Sequence, residues 1–172
     1  MLATTALVSG TWLLDPARTT VAFSGRASRL APTFRASFTS VSGWVEFGTT
    51  TQLAVDIDVR SISTGNRAWD ELLHGLDPFD ATRCPKAVYR GSADLEVGSR
   101  VAVGGALELR GVLQPVRLTA QVRARATDEA VVTATGEIDR RLFGVRCDLP
   151  GLGRLVPSVM RLEISVTAVR QD

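Results

Sequence analysis

Between Ser61 and Pro85 the chain gathers four acids (Asp70, Glu71, Asp77, Asp80), its single histidine, His74, and Cys84, one of two cysteines. These residue types move protons, assist nucleophiles and hold metals. Asp70 and His74 stand four apart, a spacing that puts both on one helix face, so a proton-transfer dyad is one reading. Hydrolysis through that dyad needs a nucleophile. Ser61, Ser63 and Thr64 lie nearby, without the G-x-S-x-G elbow that presents a catalytic serine. Asp70, Asp77 and Asp80 would suit a hard cation, but their spacing is not that of a D-x-D-x-D-G loop. Cys84 and Cys147 form no C-x-x-C pair, and one histidine does not complete a zinc set with them. No metal or cofactor is therefore expected, and reduced packing thiols account for both cysteines.

The same stretch also has a structural reading. Asn66 can cap a helix with its side-chain oxygen, and Asp70 and Glu71 place negative charge in the early turns. Trp69, Leu72 and Leu73 make an apolar stripe at helical spacing. Gly75 and Pro78 are expected to end the helix, which leaves a short amphipathic segment around 66–74 lying on a larger body.

That body is read from period-two alternation. Leu53, Val55, Ile57 and Val59 share one strand face, opposite Ala54, Asp56, Asp58 and Arg60. Val116, Leu118, Ala120, Val122 and Ala124 repeat the pattern against Arg117, Thr119, Gln121, Arg123 and Arg125. So do Val101, Val103, Leu107 and Leu109, with Gly104-Gly105 read as a bend or bulge, and Leu162, Ile164, Val166 and Ala168 near the C-terminus. Further strands are expected at 33–39, 41–48, 86–95 and 130–139, and Gly151 and Gly153 are read as a turn before the last strand. With one helical interruption and no βαβ rhythm, about eight or nine strands imply an antiparallel barrel or sandwich. Small residues on the inward face (Ala106 or Gly105, Ala120, Ala134, Gly136) leave room inside, fit a taper, or admit a large neighbour.

Composition narrows the function classes. The 172 residues fit one domain, 1–172, and a formal charge of +2 is no nucleic-acid footprint. The apolar start has no basic leader and no run approaches the roughly 20 apolar residues of a membrane span, so a cytoplasmic protein is expected. Neither GVLQP nor GLGRL is a phosphate-binding glycine loop. The aromatics are scattered in the manner of core residues rather than a stacking platform.

Several motifs occur in order along the chain: W-x-L-D-P at Trp12–Pro16, V-x-F at Val21–Phe23, F-x-S-x-S-G at Phe38–Gly43, and S-I-x-T-G-N at Ser61–Asn66. They continue with D-x-F-D at Asp77–Asp80, G-x-L-x-L-R-G-V at Gly105–Val112, and R-x-x-F-G-V at Arg140–Val145. Over essentially its whole length the sequence resembles the YceI-like family. The resemblance implies an all-β fold, an extended antiparallel lipocalin-like barrel whose long apolar channel holds polyisoprenoid chains, with the 61–85 segment as part of its closure. The sequence departs from that family at three places. Ala27 or Ser28 stands where a histidine is common, Pro78 replaces the first aromatic of D-F-F-D, and Tyr89-Arg90-Gly91 replaces a phenylalanine followed by R-S.

The resulting expectation is a non-enzymatic carrier for a long-chain isoprenoid lipid, of quinone or polyprenyl phosphate type. The expected contacts are Phe23, Phe38, Val55, Ile57, Phe79, Tyr89, Leu107, Leu109, Leu118, Val122, Phe143 and Ile164. Arg26, Arg29 and Arg35 are read as a solvated loop or as a rim for a phosphate head. Trp44 and Trp69 are read as buried or, if exposed, as contacts of a possible homodimer. Two alternatives stay open: a lipid hydrolase or isomerase using Asp70 and His74, and a solid-cored barrel that acts through its surface in a stress response.

Overall fold

A computed structural model describes residues 7–94, 97–147 and 156–171. In chain order the elements are β1 (Gly10–Leu14), β2 (Thr20–Gly25), β3 (Phe34–Phe38), β4 (Val41–Phe47), β5 (Thr51–Asp58), β6 (Ile62–Ser63) and α1 (Arg67–Leu76). They continue with β7 (Lys86–Ala93), β8 (Arg100–Leu109), β9 (Val112–Pro115), β10 (Leu118–Ala124), β11 (Glu129–Asp139) and β12 (Val159–Arg170).

These strands form eight staves, because four staves are broken in two. β1 and β2 lie end to end along β12, with Leu14 opposite Ala168 and Thr20 opposite Ser165. β4 and β3 pair with them in the same manner, and β5 and β6 follow on β4 and β3. β9 and β10 share β8. Every ladder between these strands is antiparallel, and the pairing of β1 and β2 with β12 closes the ring. Closure pairs the long staves on both sides, and only the short β6 and β9 have a single strand partner among the described residues, so an all-antiparallel sheet exposes few unpaired backbone groups.

Two of the four breaks, those between β1 and β2 and between β5 and β6, have a local cause. Asp15 and Asp58 each accept a hydrogen bond from the backbone N–H two residues on (Ala17, 3.0 Å; Arg60, 3.0 Å) and cap a single 3-10 turn that interrupts the stave. Short polar side chains make this competing local bond readily. Asp139 does the same with Arg141 (3.0 Å) where β11 ends. The D-P of the first motif is therefore a strand breaker.

Three expectations are corrected. Gly75 does not end α1: the helix runs to Leu76, and Asp77 caps it in the left-handed conformation, its N–H donating to the Leu73 carbonyl. Leu72 is half-exposed, and Leu73 and Leu76 carry the buried face with Trp69. Gly104-Gly105 makes no bulge, since β8 keeps unbroken register with β7 through both residues. Gly105 is small for another reason. A Cβ there would overlap the Tyr89 hydroxyl and the Arg90 carbonyl, so the glycine makes room for the tyrosine ring. Gly151 and Gly153 lie outside the described residues.

Two apolar clusters fill the ends of the barrel. Trp12 is fully buried and packs edge-on against Phe47 (5.3 Å, 89°), with Leu14, Val45, Val122, Ala130, Val166 and Ala168 around it. This cluster is the floor. At the other, helical end, α1 covers the strands, and Cys147, Val156 and Met160 pack against Trp69 and Leu76.

Candidate functional site

Between floor and helix lies a cavity of about 150 Å³. Every stave contributes to its lining, because the alternation that gives each strand one apolar face turns all those faces inward on closure. Phe23 and Phe38 reach it from β2 and β3, Val55 and Ile57 from β5, and Tyr89 from β7. Leu107 and Leu109 come from β8, Leu118 from β10, Ile164 from β12, and Phe79 from the loop after α1. Two residues of the expected set lie elsewhere. Val122 has the right parity but sits in the floor cluster, and Phe143 is buried beside the wall in the turn after β11. Sequence reasoning omitted Leu53, Val103 and Leu162, although their parity matches that of lining residues it named, and Val132, which shares its face with the small inward residues Ala134 and Gly136. It also omitted Phe34 and Met160, which share strand faces with Phe38 and Ile164, and Leu73 and Val156, which lie outside the strands.

One side of the cavity is a file of rings. Trp69 meets Phe34 at 6.3 Å, Phe34 meets Phe23 at 6.2 Å, Phe23 meets Phe38 at 5.6 Å, and Phe38 meets Phe79 at 5.8 Å. The opposite wall has small residues. Ala120 and Ala134 both line it and face each other directly across β10 and β11. Gly136 is filled by Leu118, whose side chain occupies the place of the missing Cβ.

The polar groups of the lining are turned to the protein. The Tyr89 hydroxyl donates to the Val116 carbonyl at 2.9 Å, and burial pushes this phenol up to about 12. Arg140, the single charged lining residue among the described residues, donates to the carbonyls of Val145 (2.9 Å), Pro157 (3.0 Å) and Val156 (3.5 Å). It pins the chain segments at the helical end and presents its aliphatic stem to the space.

Two acids of 61–85, Asp70 and Asp77, are tied to the backbone, and the other two pair with arginines, Glu71 with Arg67 and Asp80 with Arg83. Asp70 accepts from the Thr64 hydroxyl and N–H, both at 2.7 Å, and from Ser63 at 3.4 Å. These bonds, the Thr64 hydroxyl first, hold its carboxyl below the usual value. His74 is exposed on the next turn, and no hydrogen bond joins it to Asp70 among the described residues. Asp77 caps Ala81 (2.8 Å). Ser61, a candidate nucleophile, accepts from the N–H groups of Thr39 (3.1 Å) and Ser40 (3.0 Å) and donates to the Asp58 carbonyl (2.6 Å), stitching two broken staves together. Neither Asp70 nor His74 lines the cavity. At the rim, Arg35 pairs with Glu163 (3.6 Å), Arg26 donates to Thr33 (2.9 Å), and Arg29 is exposed. Trp44 is 38% exposed on the outer wall beside Leu13, and Trp69 is partly buried against Phe34.

An eight-staved antiparallel barrel with a floor, a helix at one end and an apolar interior defines a lipocalin-like protein. The profile of the YceI-like domain matches residues 12–168, and the chain belongs to that family. Protein YceI of Shigella flexneri is 26% identical over 114 residues, 63% of this chain and 60% of that protein. UPF0312 protein plu2095 of Photorhabdus laumondii is 29% identical over 100 residues, 55% of this chain and 52% of that one. The chain thus spans less than two thirds of the curated relatives it matches. Among solved structures, BcnA of Burkholderia cenocepacia superposes with a TM-score of 0.77 at 22% identity, over 91% of this chain and 99% of that one. A polyisoprenoid binding domain from Saccharophagus degradans gives 0.75 at 17% identity, over 95% and 100%. These likenesses establish the lipocalin-like barrel.

Proposed function

We propose that the protein is a non-enzymatic carrier that holds a long apolar lipid, of isoprenoid type, inside its barrel. The observation that carries this reading is the cavity: all eight staves line it with apolar side chains, and its hydroxyl and guanidinium are both committed to backbone carbonyls. Such a surface binds by burial alone, at about 0.8 kcal/mol per CH₂ group removed from water. A polar head placed inside would find no partner and would cost free energy. The polyisoprenoid binding described for the Saccharophagus domain of the same fold supports the same ligand class.

The contacts proposed are the ten lining residues from Phe23 to Ile164 named above. At about 150 Å³ the space is below the roughly 300–1,000 Å³ of common ligand pockets. A long chain therefore gains room as Met160 and the Leu and Phe side chains of the lining change rotamer. Its head group stays at the helical end, near Arg26, Arg29 and Arg35. The reading treats 1–172 as a single domain resident in the cytoplasm.

Native mass spectrometry of freshly purified protein, followed by solvent extraction against a mock-purified control, tests the proposal. A stoichiometric isoprenoid is the expected result and gives the chain length. Protein that is empty and also fails to take up added quinones or prenyl phosphates overturns it.

A further inference from the structure

The two ends of the barrel differ in surface chemistry. Strand directions place the segments 26–33, 64–85, 110–111 and 140–147 and the start of β12 at the helical end, and the turns 48–50 and 125–128 at the floor end. Of the eight large apolar side chains exposed among the described residues, five belong to the helical end: Leu30, Leu72, Leu113, Leu142 and Val159. Leu30 is 99% exposed, at the tip of the β2–β3 loop. The floor-end turns 48–50 and 125–128 carry only Gly, Thr, Ala, Arg and Asp, and Val8, just before β1, is the large apolar side chain exposed at that end among the described residues.

Arginines accompany these leucines. Arg29 adjoins Leu30, Arg110 sits in the β8–β9 turn beside Leu113, and Arg146 follows Leu142. All three are exposed and make no ion pair with a described residue. Four acids of the same end are engaged, Asp70 by Thr64, Glu71 by Arg67, Asp80 by Arg83 and Asp139 by Arg141, while Glu108, across from Leu113, is exposed with no ion pair to a described residue. A ring of apolar tips and unpaired cations therefore surrounds the end opposite the Trp12 floor.

We infer that the helical end docks on an anionic lipid bilayer, with the leucine tips entering the headgroup region and the arginines meeting lipid phosphates. Apolar side chains interspersed with cations are the composition of interfacial binding. The leucines sit on separate segments around a circumference rather than in one continuous patch, which suits a deformable lipid surface better than a rigid acidic protein. Docking in this orientation would set the helix-covered end of the cavity, opposite the Trp12 floor, against the membrane. It rests on the carrier reading only for that purpose, because docking itself needs no cavity ligand.

The test is flotation of the full chain with phosphatidylcholine vesicles, with and without phosphatidylglycerol. The protein is expected to partition at least ten-fold more onto the anionic vesicles and to be released as salt rises, since each surface cation contributes roughly five-fold at low ionic strength. Arg29→Glu with Arg146→Glu should lower partition by at least about ten-fold, and the uncharged Leu30→Ser should lower it independently of salt. Arg123→Glu with Arg125→Glu makes the same charge change at the floor end and should leave partition within about two-fold of the parent. Circular dichroism verifies that each variant is folded. Absence of vesicle binding, equal binding to both vesicle types, or equal loss in the two double variants overturns the inference. An isoprenoid recovered from protein that ignores vesicles would leave the carrier reading intact and remove only the docking.

Discussion

Tyr89 illustrates how one side chain serves both the wall and the cavity. Its ring lies over Gly105, its hydroxyl donates across to Val116, and it is the single tyrosine of the chain. The folded phenol titrates at about 12, against about 10 in an unfolded chain. The folded state thus prefers the neutral form. Its contribution is complete below pH ~10 and is lost as pH rises from there through about 12, on the order of 2 kcal/mol in all. Phenolate absorbance in folded protein should therefore appear well above the pH at which a free tyrosine ionises, and a phenol titrating near 10 in folded protein would contradict the buried hydrogen bond. Tyr89→Phe strands the Val116 carbonyl and should cost about 1 kcal/mol by urea denaturation. Gly105→Ala should cost more, about 2–4 kcal/mol, because the new methyl meets both the tyrosine and backbone, and backbone cannot swing away.

At the scale of elements, α1 depends on Asp70 as much as on its cap, Asn66, whose side chain accepts from Trp69 (3.1 Å). Asp70 fastens the segment before the helix to the helix itself. Its carboxyl is held low, so the stabilisation is present above the unfolded value of about 3.9 and is lost as pH falls below that through the folded value. Acidification below about pH 4 should loosen α1 before the barrel, visible as faster amide exchange at 70–77. Asp70→Asn should weaken the helix at neutral pH by about 1 kcal/mol and flatten this acid response. An unchanged response would mean that Asp70 anchors nothing. The elements themselves were largely legible in the sequence. Strands expected at 33–39, 41–48, 86–95 and 130–139 appear as β3, β4, β7 and β11. Alternation carries that information because a half-buried strand must alternate. The breaks were not legible, since an aspartate that caps a 3-10 turn on the barrel wall looks the same in sequence as one facing solvent. Nor was the end of α1, where Asp77 took the left-handed position that Gly75 seemed suited to fill.

For the whole molecule, closure converts strand parity into a cavity, and parity is blind to depth. Val122 and Leu118 share a face of β10, yet Leu118 lines the space while Val122 is part of the floor under Trp12. The sequence therefore indicated which side of each strand faces in, and the floor, set by Trp12 and Phe47 from distant segments, emerged only from the three-dimensional packing. Room inside depends on small residues that meet across staves, and Ala120 opposite Ala134 is such a pair. Replacing both with leucine would add six methyl-sized groups to a space of about 150 Å³, with their burial offsetting the loss of void. If the cavity is the binding site, this variant should stay folded, with a midpoint within about 1–2 kcal/mol of the parent, and lose at least about ten-fold in affinity for an added isoprenoid quinone. Tryptophan fluorescence titration measures the affinity and urea denaturation the stability. A filled variant that still binds at full strength would place the ligand outside the barrel. A variant that unfolds would be replaced by Ala134→Val alone, for which the same argument expects a smaller loss of binding with the fold retained.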